Sequence, residues 1–147
     1  MKRHVVVVAI VCVLCQGLAA CVPGVGLPFP GRKKAPKPAS EIVDPQAIVA
    51  RDGAGAIVVT RDASLQRMRC VYDVALDERL VASLRVGEQV TLYADPGERS
   101  LIVSIRPENR CDAALAELPL KVVAHATTRV RIVADASFDL RIEATTR

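Results

Sequence analysis

From Glu41 onward the chain is a series of short apolar runs, rich in Val, Ile, Leu and Ala, broken by turn residues at intervals of about ten. That rhythm is the pattern of a β-sandwich or barrel, and the β-branched share of the runs favours a pleated surface. Where the period is clearest it is two. Met68, Cys70, Tyr72 and Val74 alternate with Arg69, Val71, Asp73 and Ala75, and Phe138, Leu140, Ile142 and Ala144 alternate with Asp139, Arg141 and Glu143. Such alternation marks half-buried strands, so Cys70 and its set are expected to point inward, as is the set headed by Phe138. Strands are also expected over 46–50 and 56–60, joined by Asp52-Gly53 hairpin chemistry, and over 80–84, 90–93, 101–105, 121–126 and 130–134. Asp77-Glu78, Gly87-Glu88 and Pro96-Gly97 punctuate a stretch that reads as a β-meander, and 113–118 reads as one short helical turn. The expectation is an all-β fold, an antiparallel β-sandwich of about seven to eight strands over residues 41–147.

A length of 147 residues leaves room for one domain. Aromatic residues make up 3% and tryptophan is absent, so the core must be aliphatic, and the stacking platforms that grip single-stranded nucleic acid are largely missing. The net charge of +4 is unevenly spread. Lys2 and Arg3 open the chain and Arg32, Lys33, Lys34 and Lys37 crowd one short stretch, which leaves 14 of the 20 basic residues from Glu41 onward against all 16 acidic ones. A near-neutral domain lacks the basic footprint of a nucleic-acid binder, so no nucleic-acid partner is expected.

Residues 1–20 form a targeting segment. Met1 to His4 is a short basic region, and Val5 to Leu18 is an apolar run interrupted only by Gln16 and Gly17. That run is too short for a membrane span of roughly 20 residues and fits the apolar region of a signal peptide. It ends in Leu18-Ala19-Ala20-Cys21, which resembles the lipobox of bacterial lipoproteins. The resemblance implies cleavage before Cys21, a diacylglyceryl thioether on its sulfur and acylation of the freed amine. An ordinary secretory signal with an incidental cysteine is the alternative. Two or more acyl chains hold a protein on a membrane where one does not, each buried methylene contributing about 0.8 kcal/mol. In Gram-negative lipoproteins an Asp after the cysteine commonly retains the protein at the inner membrane, so Val22 implies the outer membrane, facing the periplasm.

Residues 21–40 read as a lipidated linker, dense in Pro and Gly without a period. Fully extended at about 3.1 Å per residue it reaches under roughly 60 Å, so the domain works near its anchor. Its Arg32-Lys33-Lys34-Ala35-Pro36-Lys37 cluster either touches anionic headgroups or is a solvated spacer. With Cys12 and Cys15 discarded and Cys21 lipidated, Cys70 and Cys111 remain, and in an oxidising compartment an even pair is most simply a disulfide. Closing a loop of about forty residues contributes about 4 kcal/mol in the loop-entropy account. Two separate thiols or a metal pair are the alternatives, although His125 is the lone imidazole nearby and a zinc site therefore lacks ligands.

The stretch Val74 to Leu84, followed by Gly87-Glu88, Thr91-Leu92-Tyr93 and Pro96-Gly97, resembles PEGA-type β modules and small bacterial lipoproteins sharing the same turn and core pattern. Asp77-Glu78 stands where that pattern usually has Asp-Gly. The resemblance covers about thirty residues closely and implies fold far more than activity.

Catalytic signals are sparse. Gly-x-Ser-x-Gly, a phosphate-binding glycine loop and His-Glu-x-x-His do not occur. His125, in an expected strand, reads as structural. Asp73, Asp77, Glu78, Asp95 and Glu98 gather near turns, where carboxylates normally cap amides, so neither a metal site nor a cofactor is expected. Tyr72 reads as core and Tyr93 as a possible surface contact, since it alternates with inward Leu92. The function expected is a non-catalytic binding or scaffolding domain, anchored to a membrane and meeting an envelope protein. A periplasmic inhibitor or ligand-capture protein is the alternative. An enzyme assembled from distant residues such as Tyr93, Asp95 and Arg106 is a third reading.

Overall fold

The computed structural model describes residues 35–63, 68–134 and 139–146, and it is all-β. Ten strands follow in order: β1 (Lys37–Pro38), β2 (Glu41–Ile42), β3 (Gly55–Arg61), β4 (Tyr72–Leu76), β5 (Arg79–Leu84), β6 (Glu88–Ala94), β7 (Gly97–Ile105), β8 (Ala114–Val122), β9 (Thr127–Ala134) and β10 (Leu140–Thr146). A 3-10 turn, Pro45–Ile48, lies between β2 and β3. One sheet runs β1-β6-β3-β9-β10, the other β2-β5-β4-β7-β8.

The two sheets pack a single aliphatic core between them. Ile57, Val59, Leu92, Val130 and Ile132 from the first sheet meet Tyr72, Val74, Leu84, Leu101 and Val103 from the second, each at most 2% exposed. Fully burying one such side chain contributes about 1.5–3 kcal/mol, and period-two alternation is what delivers them all to one face. β3 shows it cleanly, with Ile57, Val59 and Arg61 buried and Ala56, Val58 and Thr60 half-buried on the outer side.

Several expectations need correction. The stretch read as a meander is not one, because β4 and β5 form a hairpin, β6 crosses to the other sheet and β7 returns to lie beside β4. The expected all-β sandwich is present, with one sheet antiparallel throughout and the other mixed, since β3 pairs with β9, and β1 with β6, in parallel. Residues 46–50 form the 3-10 turn instead of a strand, so Asp52-Gly53 turns the chain into β3 without making a hairpin. Residues 114–118, read as helical, begin β8. Met68 is 50% exposed and Ala144 is exposed, so neither joins the inward sets assigned to them; Phe138 lies outside the described residues. The fold also takes in the last residues of the expected linker, for Lys37 and Pro38 pair with Glu88 and Gln89.

Cys70 and Cys111 form a disulfide, with their Cα atoms 5.8 Å apart. It ties the segment leading into β4 to the loop between β7 and β8.

Candidate functional site

Backbone turns gather at one end of the sandwich. The β4–β5 turn at Asp77-Glu78, the β6–β7 arch at Asp95-Pro96 and the 3-10 turn frame a cleft of about 340 Å³. Its polar lining is three aspartates and three arginines, with Gln46 and Tyr93 beside them, and Leu76 and Val81 contribute apolar surface.

Each guanidinium is matched to a carboxylate. Arg79 Nε lies 2.9 Å from Asp44, which is nearly buried and also caps the 3-10 turn by accepting from the Gln46 amide at 3.0 Å. Arg99 donates to the Asp77 carboxylate at 3.0 Å and, through Nε and a terminal nitrogen, to the Asp95 carbonyl at 3.2 and 3.0 Å. Arg51 donates to the Tyr93 carbonyl at 3.3 Å and stands 3.6 Å from the Asp95 carboxylate. The six charges cancel, and the cleft is left with fixed donors and acceptors around one half-buried tyrosine. Such a lining can recognise a polar group by hydrogen bonds. Among the described residues that line it there is no serine, cysteine or histidine.

The sequence-marked residues divide. Tyr93, Asp77 and Asp95 come together in this cleft. Arg106 does not join them, which separates the three residues read as a dispersed catalytic set. Its Nε and a terminal nitrogen donate to Asp73 at 3.2 and 2.7 Å, and Ser83 Oγ donates to the same carboxylate at 2.7 Å. The hydrogen bond to Asp73, more than any other contact, raises the Arg106 pKa above the usual arginine value. Glu78 and Glu98 are exposed. His125 is in no strand, lying exposed in the turn before β9 with a left-handed φ of 57°. Among the described residues no group of three His, Cys, Asp or Glu side chains is placed to hold a metal. Cys21 lies outside the described residues.

Asp44, Arg51, Arg79 and Arg99 are cleft residues that the sequence alone did not mark. A signal was present, since Arg51 precedes Asp52-Gly53, Arg79 follows Asp77-Glu78 and Arg99 stands two residues after Gly97. Three turn-flanking arginines on turns that meet in space make a cluster, but only pairing of the strands reveals that they meet.

Fold and cleft together define a disulfide-linked all-β sandwich domain with an ion-paired cleft at one end. In sequence, the chain matches no protein-family model and no curated protein.

Proposed function

We propose that the protein is a lipid-anchored component of the bacterial cell envelope, held through Cys21 at the outer membrane, whose sandwich domain binds or scaffolds an envelope protein without catalysing a reaction. The observation that carries this reading is Leu18-Ala19-Ala20-Cys21 at the end of a basic and then apolar leader. The Cys70–Cys111 disulfide supports it, because such bonds persist in oxidising compartments. Mutual pairing of the cleft's charges supports a recognition surface over a reactive one, since no carboxylate there stands without a cationic neighbour.

Intact mass of membrane-extracted protein, before and after reduction, tests the anchor and the disulfide together. A chain beginning at Cys21, heavier by its acyl groups and gaining two protons on reduction, is the expected result. An unacylated or uncut chain removes the anchor from the proposal.

Capture of a soluble ligand or enzyme is the second reading, favoured by the end cleft and by Tyr93 within it. Pull-down with Tyr93→Ala distinguishes the two readings, because a cleft ligand is lost with the ring, whereas a scaffold contact elsewhere on the sandwich survives.

A further inference from the structure

We propose that the end of the sandwich where the chain enters the fold is a docking face for an anionic phospholipid bilayer. The proposal rests on the lipid-anchor reading and adds the orientation in which the domain sits on its membrane.

The backbone fixes which end this is. Lys37 donates its amide to the Gly87 carbonyl at 2.9 Å and pairs with Glu88, so the chain arrives beside the turn from β5 into β6. Tyr72 pairs with both Leu84 and Ile105, which brings the approach to β4 and the loop after β7 to the same end, and the disulfide clasps them. Met68, Arg69, Arg85 and Asn109 accordingly line one shallow depression of about 340 Å³. Thirteen residues lie between Cys21 and Ala35, the first described residue. That is under roughly 45 Å fully extended, so the end receiving the chain is the end kept nearest the bilayer.

Charge distinguishes the two ends. At the far cleft every arginine has a carboxylate. At the chain-entering end Lys37, Arg69, Arg85 and Arg110 are exposed, and none has a side-chain partner among the described residues. The carboxylates there are mostly engaged. Glu88 accepts from the Ser40 and Arg85 amides, Asp62 is bound by Arg131 and Glu108 lies 3.9 Å from Arg106, leaving Asp112 exposed. Met68, half exposed among these cations, adds an apolar side chain where headgroups give way to acyl chains. Exposed arginines without a side-chain partner among the described residues, around an exposed methionine and on the end held closest to a lipid anchor, match an anionic headgroup layer.

The test uses the full lipidated chain in vesicles of phosphatidylcholine alone or with about 30 mol% phosphatidylglycerol, compared by hydrogen exchange of peptides covering 68–71 and 107–112. Slower exchange is expected on the anionic vesicles, reversed by roughly 0.5 M NaCl and absent in the triple variant Arg69→Gln, Arg85→Gln, Arg110→Gln. Equal exchange on both vesicles overturns the proposal. If intact mass shows no acyl chain, the anchor reading has failed separately and the same vesicles are used in co-sedimentation. There, binding to anionic vesicles that falls about tenfold or more in the triple variant supports the face, and no binding, or binding unchanged in the variant, overturns it.

Discussion

Arg61 occupies an inward position in β3, a strand whose other inward residues are aliphatic. A buried guanidinium costs several kcal/mol unless its donors are met. Here one terminal nitrogen donates to the Cys70 and Leu84 carbonyls at 2.6 and 3.0 Å, and the guanidinium lies 3.7 Å from the centre of the Tyr72 ring. All three partners belong to the opposite sheet or its approach, so Arg61 spans the core. Burial pushes its pKa below the usual arginine value, opposed by Tyr72 and Glu88. Arg61→Ala removes the donor that the Cys70 and Leu84 carbonyls share and is expected to lower stability by about 2–4 kcal/mol, read as a fall in the urea midpoint at constant m. Gly55 is fixed by a different constraint. A Cβ there would fall 2.4 Å from the Val123 carbonyl oxygen, a backbone atom that cannot swing aside. Gly55→Ala is therefore expected to cost about 1–3 kcal/mol, measured in the same way. Neither requirement is visible in the sequence, since Arg61 closes a run of β-formers like any polar strand end and Gly55 sits in a Gly-Ala stretch that resembles loop.

At the scale of elements, the β4–β5 hairpin turns through Asp77 and Glu78, both in the left-handed region at φ 49° and 66°. Two such residues make a type I′ turn, for which Asn-Gly or Asp-Gly is preferred. Asp77 is held in place, its carboxylate accepting from the Ser100 amide and from Arg99, both at 3.0 Å. Glu78 is exposed and carries the strain of a side chain in that region. Glu78→Gly relieves it and is expected to stabilise by about 0.5–1 kcal/mol, raising Tm by a few degrees in a calorimetric scan. β8 shows why one element was misread. Ala114, Ala116, Leu118 and Leu120 turn inward against β7, while Leu115, Glu117, Pro119 and Lys121 face out. The period of two was present, but Ala, Leu and Glu favour helices and Leu115, 68% exposed, filled an outward position with an apolar residue. Pro119 is tolerated because β8 is an edge strand with one side free of partners in its sheet. Leu115→Lys should leave stability within about 0.5 kcal/mol by thermal melt, and a larger loss would mean that the outer face of β8 is covered.

At the scale of the molecule, the disulfide closes a span of 41 residues that contains β4, β5, β6 and β7. In the loop-entropy account such a closure contributes about 4 kcal/mol. Cys70→Ala with Cys111→Ala is accordingly expected to lower Tm by roughly 10–20 °C, and wild type in reductant should melt with the double variant. The same bond holds the Cys70 carbonyl that receives Arg61, so the two losses should not add. A double-mutant cycle that gives simple additivity would separate core clamp from disulfide.

Local sequence determined that this chain is all-β, that Cys70 faces inward, where the β3, β5, β6, β7 and β9 runs lie and that Tyr72 is core, because alternation and turn chemistry act over a few residues and survive without knowledge of neighbours. The expectation of a leader cut before Cys21 likewise rests on adjacent residues, Leu18-Ala19-Ala20-Cys21. Only the tertiary structure decided that β6 belongs to the sheet opposite β5, that β3 and β9 run parallel, and that Arg51, Arg79 and Arg99 meet one another at one end while Arg106 binds Asp73 apart from them. Those outcomes depend on which apolar faces pack together across the core, and burial is non-directional; alternation says that a residue points inward but not which sheet will cover it.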